Sequence, residues 1–246
     1  NGGAITITGT NKDGKMGDIT ASTDAGNIVM TGKFGAFGDV TFKTSYYTDT
    51  DYTPNTGAAE DSRILRTGNI MVGTDATSLD VFGSHGKFDL EVQDVGTISG
   101  NMIVAGAQAG DAGLVAKTSS GNIDLDLKLA ASGTFGSIDL TSAKAGDIAL
   151  NLATQNKDSG DYQKVGGGAA IGQITATTNS VATKVEATAA DDVDAGTVTI
   201  TGTGTDAWAN PLTTTEDPNY PGQLEGQTTK ADNPGQLEGQ TTKADS

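Results

Sequence analysis

Gly121-Asn122-Ile123-Asp124-Leu125-Asp126-Leu127-Lys128-Leu129 decides the fold class. Apolar and polar residues alternate without a break. Ile123, Leu125, Leu127 and Leu129 therefore share one face of an extended chain, while Asn122, Asp124, Asp126 and Lys128 share the other. A helix would scatter the same residues around its axis. The stretch reads as a strand with one wet and one buried face, opened by a glycine and a small polar residue.

The opening phrase recurs in both directions from this point. Towards the N-terminus it stands as Gly17-Asp18-Ile19, Gly26-Asn27-Ile28, Gly38-Asp39-Val40, Gly68-Asn69-Ile70, Gly86-Lys87-Phe88, Gly96-Thr97-Ile98 and Gly100-Asn101-Met102. Towards the C-terminus it stands as Gly136-Ser137-Ile138, Gly146-Asp147-Ile148, Gly172-Gln173-Ile174 and Gly196-Thr197-Val198. Each glycine is expected to supply a turn residue that tolerates positive φ just before a strand. Helix signals are nearly absent, because glycine, threonine and aspartate interrupt every apolar pattern of period 3.6. The expected fold is all-β: an elongated β-solenoid of short strands with glycine-polar turns. Two or three strand–turn units would close one coil, and coils would stack about 4.8 Å apart. Unequal intervals between phrases imply coils of unequal size with loops thrown out, or a β-sandwich as the alternative.

Composition agrees with a narrow core. The 246 residues include 35 glycines and only 5% aromatics, and the apolar residues are mostly Ile, Val, Leu and Ala spread evenly along the chain. Such a chain fills its core rung by rung rather than around one deep centre. Lys and Arg total 15 against 31 Asp and Glu, a formal net charge of −16. That charge repels phosphate backbones and anionic lipid, which argues against nucleic acid and membrane-surface partners, and it attracts cations. No stretch approaches the roughly 20 apolar residues of a membrane-inserted helix. Cysteine is absent, which excludes disulfides and thiolate chemistry and is compatible with export. The opening Asn1-Gly2-Gly3-Ala4-Ile5 has no methionine, as expected of a mature exported form after leader removal.

The chain divides into an all-β body, residues 1–208, and a tail, 209–246. The body carries an insertion, 45–67, that concentrates Tyr46, Tyr47, Tyr52, Pro54 and both arginines, Arg63 and Arg66. Tyrosine and arginine gathered in one loop are the composition of a contact surface, or of a loop packed down on its own body. The segment 155–168 reads as a further surface loop. The tail holds four of the five prolines and two copies of PGQLEGQTTKAD, at 221–232 and 234–245, with Leu224 and Leu237 as the apolar residue of each copy. Too polar to fold alone, it is expected to lie extended against a neighbouring subunit. The two ends of the body echo one another as ITITGT, 5–10, and VTITGT, 198–203. These segments are expected to be neighbours in one sheet or edges that meet across a subunit boundary, through Ile5, Ile7, Val198 and Ile200.

Signals of chemistry are sparse. His85 is the one histidine, in the turn Ser84-His85-Gly86, and is expected to be an exposed bystander rather than a catalytic base. The carboxylates Asp124 and Asp126, or Asp191, Asp192 and Asp194, could pair for polysaccharide cleavage. They sit on a solvated strand face and in a turn, without the burial that tunes such pairs. In 49–60, Asp49, Asp51, Thr53, Asn55 and Glu60 are candidate calcium ligands with the oxygen spacing of an EF-hand loop, although Pro54 stands where that motif has glycine. Thr197, Thr199, Thr201, Thr203 and Thr205 form a ladder of the kind found on ice-binding solenoids. In mid-chain, however, Asp, Asn and Lys interrupt it.

The coils Gly26-Asn27-Ile28-Val29-Met30 and Gly121-Asn122-Ile123-Asp124-Leu125 resemble those of bacterial β-solenoid surface proteins, the filamentous haemagglutinin and autotransporter passenger type. The resemblance spans residues 17–205 and implies an extracellular or cell-surface location with an adhesive or structural role. It carries over no binding residue. Taken together, the expected function is non-enzymatic: a subunit of a self-assembling homopolymer, filament or surface layer, held by strand pairing between copies and by the tail. A monomeric adhesin or glycan-binding module is the alternative, followed by a β-helical polysaccharide-degrading enzyme or an ice-binding protein.

Overall fold

The computed structural model describes residues 3–48, 65–93, 95–107, 109, 113–130, 133–144, 146–154, 161, 170–178, 185–190, 194–203, 212–215, 225–230 and 236–242. All regular structure among them is β. Strands follow one another in alternation between two sheets. β1 (Ile5–Lys15) is followed by β2 (Ile19–Thr23), and β3 (Ile28–Ala36) by β4 (Val40–Thr44). A hairpin of β5 (Tyr46–Thr48) and β6 (Leu65–Thr67) then interrupts. The alternation resumes with β7 (Ile70–Val72) and β8 (Leu79–Val81), which share one level, followed by β9 (Phe88–Val92). It continues through β10 (Ile98–Val104) and β11 (Leu114–Thr118), β12 (Ile123–Leu129) and β13 (Thr134–Ser142), and β14 (Ile148–Thr154) and β15 (Ala170–Thr178). The series closes with β16 (Val185–Ala190) and β17 (Asp194–Thr203), then β18 (Leu212–Thr215), β19 (Glu225–Lys230) and β20 (Gln236–Thr242).

The first sheet has the order β1-β3-β7-β10-β12-β14-β16-β18, and the second β19-β20-β17-β15-β13-β11-β9-β4-β2. Neighbours within the stack are parallel, so each coil contributes one level to each sheet. This is a β-solenoid. The sandwich alternative is set aside, since successive levels of the stack alternate between the sheets, and only the hairpins β5–β6 and β19–β20 pair consecutive strands among those described.

Inward residues form columns that run along the stack. The first sheet opens six successive levels with the same side chain: Ile5, Ile28, Ile70, Ile98, Ile123 and Ile148 stand in register, and Val185 follows in β16. In the second sheet the matching column is Ile19, Val40, Phe88, Leu114, Ile138 and Ile174. β12 carries the burial pattern its sequence implies, with Ile123, Leu125, Leu127 and Leu129 buried and the residues between them exposed. Its stability comes from this stacking, because burying a Leu or Ile side chain contributes about 1.5–3 kcal/mol. A column rich in hydroxyls closes the second sheet: Thr44, Thr118, Ser142 and Thr178 are buried at its end, with Val92 between Thr44 and Thr118. Thr118 Oγ1 donates to the Gly121 carbonyl at 2.6 Å, and the Gly146 amide donates to Ser142 Oγ at 2.8 Å. Thr118 and Ser142 thereby tie the last strand residue to the corner that follows it, and Thr44 Oγ1 donates to the Gly68 carbonyl at 3.1 Å.

Most glycines of the recurring phrase stand at these corners, while Gly100, Gly136, Gly172 and Gly196 lie within strands, and the corner glycines are not there for the expected reason. Among the described residues, the glycines with positive φ are Gly32 and Gly73, and neither opens a phrase. Close approach is what selects glycine. A Cβ on Gly121 would lie 1.8 Å from the Gly96 carbonyl oxygen, and one on Gly146 would lie 1.8 Å from that of Gly121. At five corners the Asn or Asp after the glycine has a matching task. Its side-chain oxygen accepts the backbone amide of its counterpart in the next coil: Asn69 N to Asn27 Oδ1 at 3.0 Å, Thr97 N to Asn69 Oδ1 at 2.9 Å, and Asp147 N to Asn122 Oδ1 at 3.0 Å. The opposite corner does the same with Asp39 N to Asp18 Oδ1 at 3.0 Å and Lys87 N to Asp39 Oδ1 at 2.8 Å. Gly-Asx-apolar is therefore a stacking code: room, a hydrogen-bond acceptor, then a core residue.

The echoing segments at the two ends are not neighbours in one sheet. ITITGT lies in β1, at the edge of the first sheet, and VTITGT lies in β17, inside the second. The described parts of the tail pair with the chain's own body. β18 pairs parallel with β16, and β20 pairs antiparallel with β17, with β19 outermost. Gln227 stands opposite Gln240 in that hairpin, so the two copies of the repeat meet at equivalent positions.

Candidate assembly interface

β1 and β2 are the outermost strands of the two sheets at one end of the solenoid. Each has a partner on one side, β3 and β4 respectively, and an edge of backbone N–H and C=O groups on the other. Ile5 and Ile7 head two apolar columns there. They pack against the core cluster yet stay half-exposed, whereas Ile28 and Met30, one level below, are 0% exposed. Met16, between β1 and β2, is 53% exposed. Two hollows open at this end. One, of about 420 Å³, is lined by Gly3, Ile5, Thr23, Lys43 and Glu91 among others, and the second, of about 280 Å³, by Ile7, Gly9, Met16 and Phe34.

Charged pairs frame the same end. Lys43 Nζ lies 3.0 Å from Glu91 Oε2, and that hydrogen bond, with the carboxylate charge, holds the lysine pKa above its ordinary value. Asp161, from the long connection between β14 and β15, reaches back to Lys33 and to Lys12, the latter at 3.3 Å. Hydrogen bonds from Lys33 and then Lys12 push the Asp161 carboxyl below the usual range, and the same contact raises Lys33. All three groups are well exposed, so water and salt screen these pairs and they add little stability.

At the other end, Val198 and Ile200 do not stand at an open edge. β17 pairs with β15 on one side and β20 on the other, and the outermost strands are β18 and β19. Leu237 lies in β20, opposite Gly202 of β17 and Lys230 of β19. Tyr46 and Tyr47 form β5, opposite Thr67 and Arg66 of β6. Tyr52, Leu224 and the calcium candidates Asp49, Asp51, Thr53, Asn55 and Glu60 lie outside the described residues.

His85 is corrected from exposed to buried. It is 0% exposed, with ring centroids 5.0 Å from Phe135, 5.8 Å from Phe88 and 6.2 Å from Phe37. Nδ1 lies 3.0 Å from the Gly86 carbonyl oxygen, and Nε2 has no hydrogen-bond partner among the described residues. Burial lowers its pKa and outweighs the Gly86 and Thr134 backbone groups, which favour the protonated ring. A cluster of Phe34, Phe37, Phe88 and Phe135 inside the stack is the signal that sequence reading missed, since an aromatic lining leaves no exposed turn for the imidazole. Asp126 accepts from Asn151 Nδ2 at 2.7 Å on the outer face of the first sheet, an ordinary cross-coil contact. Among the described residues, no three of His, Cys, Asp and Glu gather in a metal-binding group.

Compared with family models, curated proteins and solved structures, the chain matches none.

Proposed function

We propose that the protein is an extracellular structural subunit, a building block that assembles with copies of itself into a filament or surface layer. The observation that carries this reading is the state of the first coil. The isoleucine column that is sealed at Ile28 arrives at Ile5 half-exposed, beside two strand edges that pair with no other strand among the described residues. Apolar side chains next to free backbone donors and acceptors favour a strand-bearing partner over solvent. Stacked coils also suit mechanical load along the axis, because every level is held by a row of parallel hydrogen bonds. The acidic surface keeps the sides of such an assembly soluble and apart. Electron microscopy of the purified chain tests this: regular filaments or sheets are expected, and discrete particles at every concentration would contradict it.

Calcium is proposed as a stabiliser of the insertion through Asp49, Asp51, Thr53, Asn55 and Glu60. Loss of assembly in chelator, restored by calcium but not by magnesium, is the expected result; assembly indifferent to chelator would remove the ion.

A second reading, a surface adhesin that takes a glycan, is favoured by one feature. A hollow of about 290 Å³ on the outer face of the first sheet is lined by Thr74, Asp75, Ser99, Asn101, Asp124 and Asp126. Hydroxyl, amide and carboxylate groups in a shallow site suit sugar hydroxyls. A glycan array decides it, and binding abolished by Asn101→Ala would favour this reading.

A further inference from the structure

We propose that the first coil is a docking platform for the opposite end of a second copy of this chain, whose last strands seat above Gly3 and Gly17. The inference rests on the self-assembly reading and deepens it by naming the two surfaces that meet.

The corner glycines form two columns. In the first, Gly3, Gly26, Gly68, Gly96, Gly121 and Gly146 stand two residues before the isoleucines that share one register. Every member after Gly3 is forced to be glycine by the coil before it. A Cβ would come within 2.0 Å of the preceding carbonyl oxygen at Gly26 and Gly68, 2.3 Å at Gly96, and 1.8 Å at Gly121 and Gly146. In the second column, which Gly17 opens and where the residue two before Leu114 is Ala112 rather than glycine, a Cβ on Gly38 would lie 2.0 Å from Asp18 Oδ1, and one on Gly172 would lie 2.1 Å from the Gly136 carbonyl oxygen.

At Gly3 and Gly17 nothing lies within 4 Å of the same position. No atom of the described residues demands glycine at either place, and glycine there carries a backbone-entropy cost that alanine would relieve. The first coil thus keeps the chemistry of a coil that is sat upon. Ile5 and Ile7, half-exposed at the heads of their columns, make the same statement in apolar surface.

The occupant with matching geometry is the far end of the same solenoid. The column headed by Ile7 passes through Met30, Val72, Gly100, Leu125, Leu150 and Ala187 and finishes at Leu212 in β18, parallel throughout. A second copy that laid β18 along β1 would continue column and polarity across the joint. β19 keeps that polarity as well: it is antiparallel to β20, which is antiparallel to β17, so β19 runs with the coils. The two surfaces are different, so the contact is head-to-tail and leaves a fresh platform on each added copy.

The test compares the wild-type chain with Gly3→Ala, Gly17→Ala and Gly17→Val by sedimentation velocity over a concentration series, with thermal unfolding of each. Open space at both sites, with the backbone entropy that alanine relieves, predicts unfolding midpoints equal to or slightly above wild type for the alanine variants. Overpacking at the joint predicts that the concentration for half-assembly rises about tenfold or more, with valine worse than alanine. Equal assembly by wild type and Gly17→Ala would overturn the platform while leaving self-assembly intact. Discrete wild-type dimers that Gly17→Ala abolishes would support the platform and remove the filament. A wild-type chain that stays monomeric throughout would overturn both.

Discussion

The backbone amide of Asn69 donates to the side-chain oxygen of Asn27 at 3.0 Å, across 42 residues of sequence but a single level of the stack. Asn69 Oδ1 then accepts Thr97 N at 2.9 Å, so one residue is a rung in a ladder that crosses three coils. Replacing Asn69 by alanine leaves the Thr97 amide without its acceptor at a part-buried corner. A cost of about 1–3 kcal/mol is expected, read as a lower urea midpoint with unchanged slope. Asn69→Asp, which keeps an acceptor oxygen, should recover much of it.

Gly121→Ala is expected to destabilise by about 1–3 kcal/mol or more, because the added methyl meets the Gly96 carbonyl and rigid backbone must move. A melting temperature equal to wild type would show that the corner has slack and that the stacking code is not steric.

These two residues also mark what sequence reading can and cannot reach. The alternation in 121–129 is local, and it placed Ile123, Leu125, Leu127 and Leu129 in the core correctly. The position of Gly121 before a strand was legible for the same reason. Its task was not, because the atom that selects glycine belongs to Gly96, and the intervals between coils are unequal. The bond from Asp39 to Asp18 spans 21 residues, that from Lys87 to Asp39 spans 48, and no fixed period reveals the register. Likeness between ITITGT and VTITGT misled similarly: shared strand propensity says nothing about which sheet a segment joins, and β1 and β17 join different ones. His85 was misplaced because its three aromatic neighbours, Phe37, Phe88 and Phe135, meet around it only once the coils stack.

Burial keeps His85 neutral in the folded state, with its pKa below the ordinary value of about 6.5 that applies when unfolded. Below that pH the unfolded chain binds a proton that the folded chain refuses. Stability is therefore fully present above about pH 6.5 and falls as pH drops towards the folded value, at up to about 1.4 kcal/mol per pH unit. His85→Phe, which keeps an aromatic ring among Phe37, Phe88 and Phe135, should flatten this slope between pH 6.5 and 5. Urea titrations at several pH values measure it; parallel curves for both proteins would show that His85 does not couple folding to protons.

A chain ending at Trp208 lacks β18, β19 and β20 and so loses the surface that meets the first coil. Its coils should still fold, with near-native circular dichroism, while assembly falls to the level of Gly17→Val. Filaments of unchanged length and stability from the shortened chain would remove the tail from the joint.

Fibre diffraction from aligned assemblies most directly probes whether copies add coil upon coil. Strands perpendicular to the long axis, continuous across each joint, place the reflection near 4.8 Å on the meridian. The same reflection on the equator, or its absence from an ordered specimen, would mean that the solenoids associate side by side and that the first coil is not where they meet.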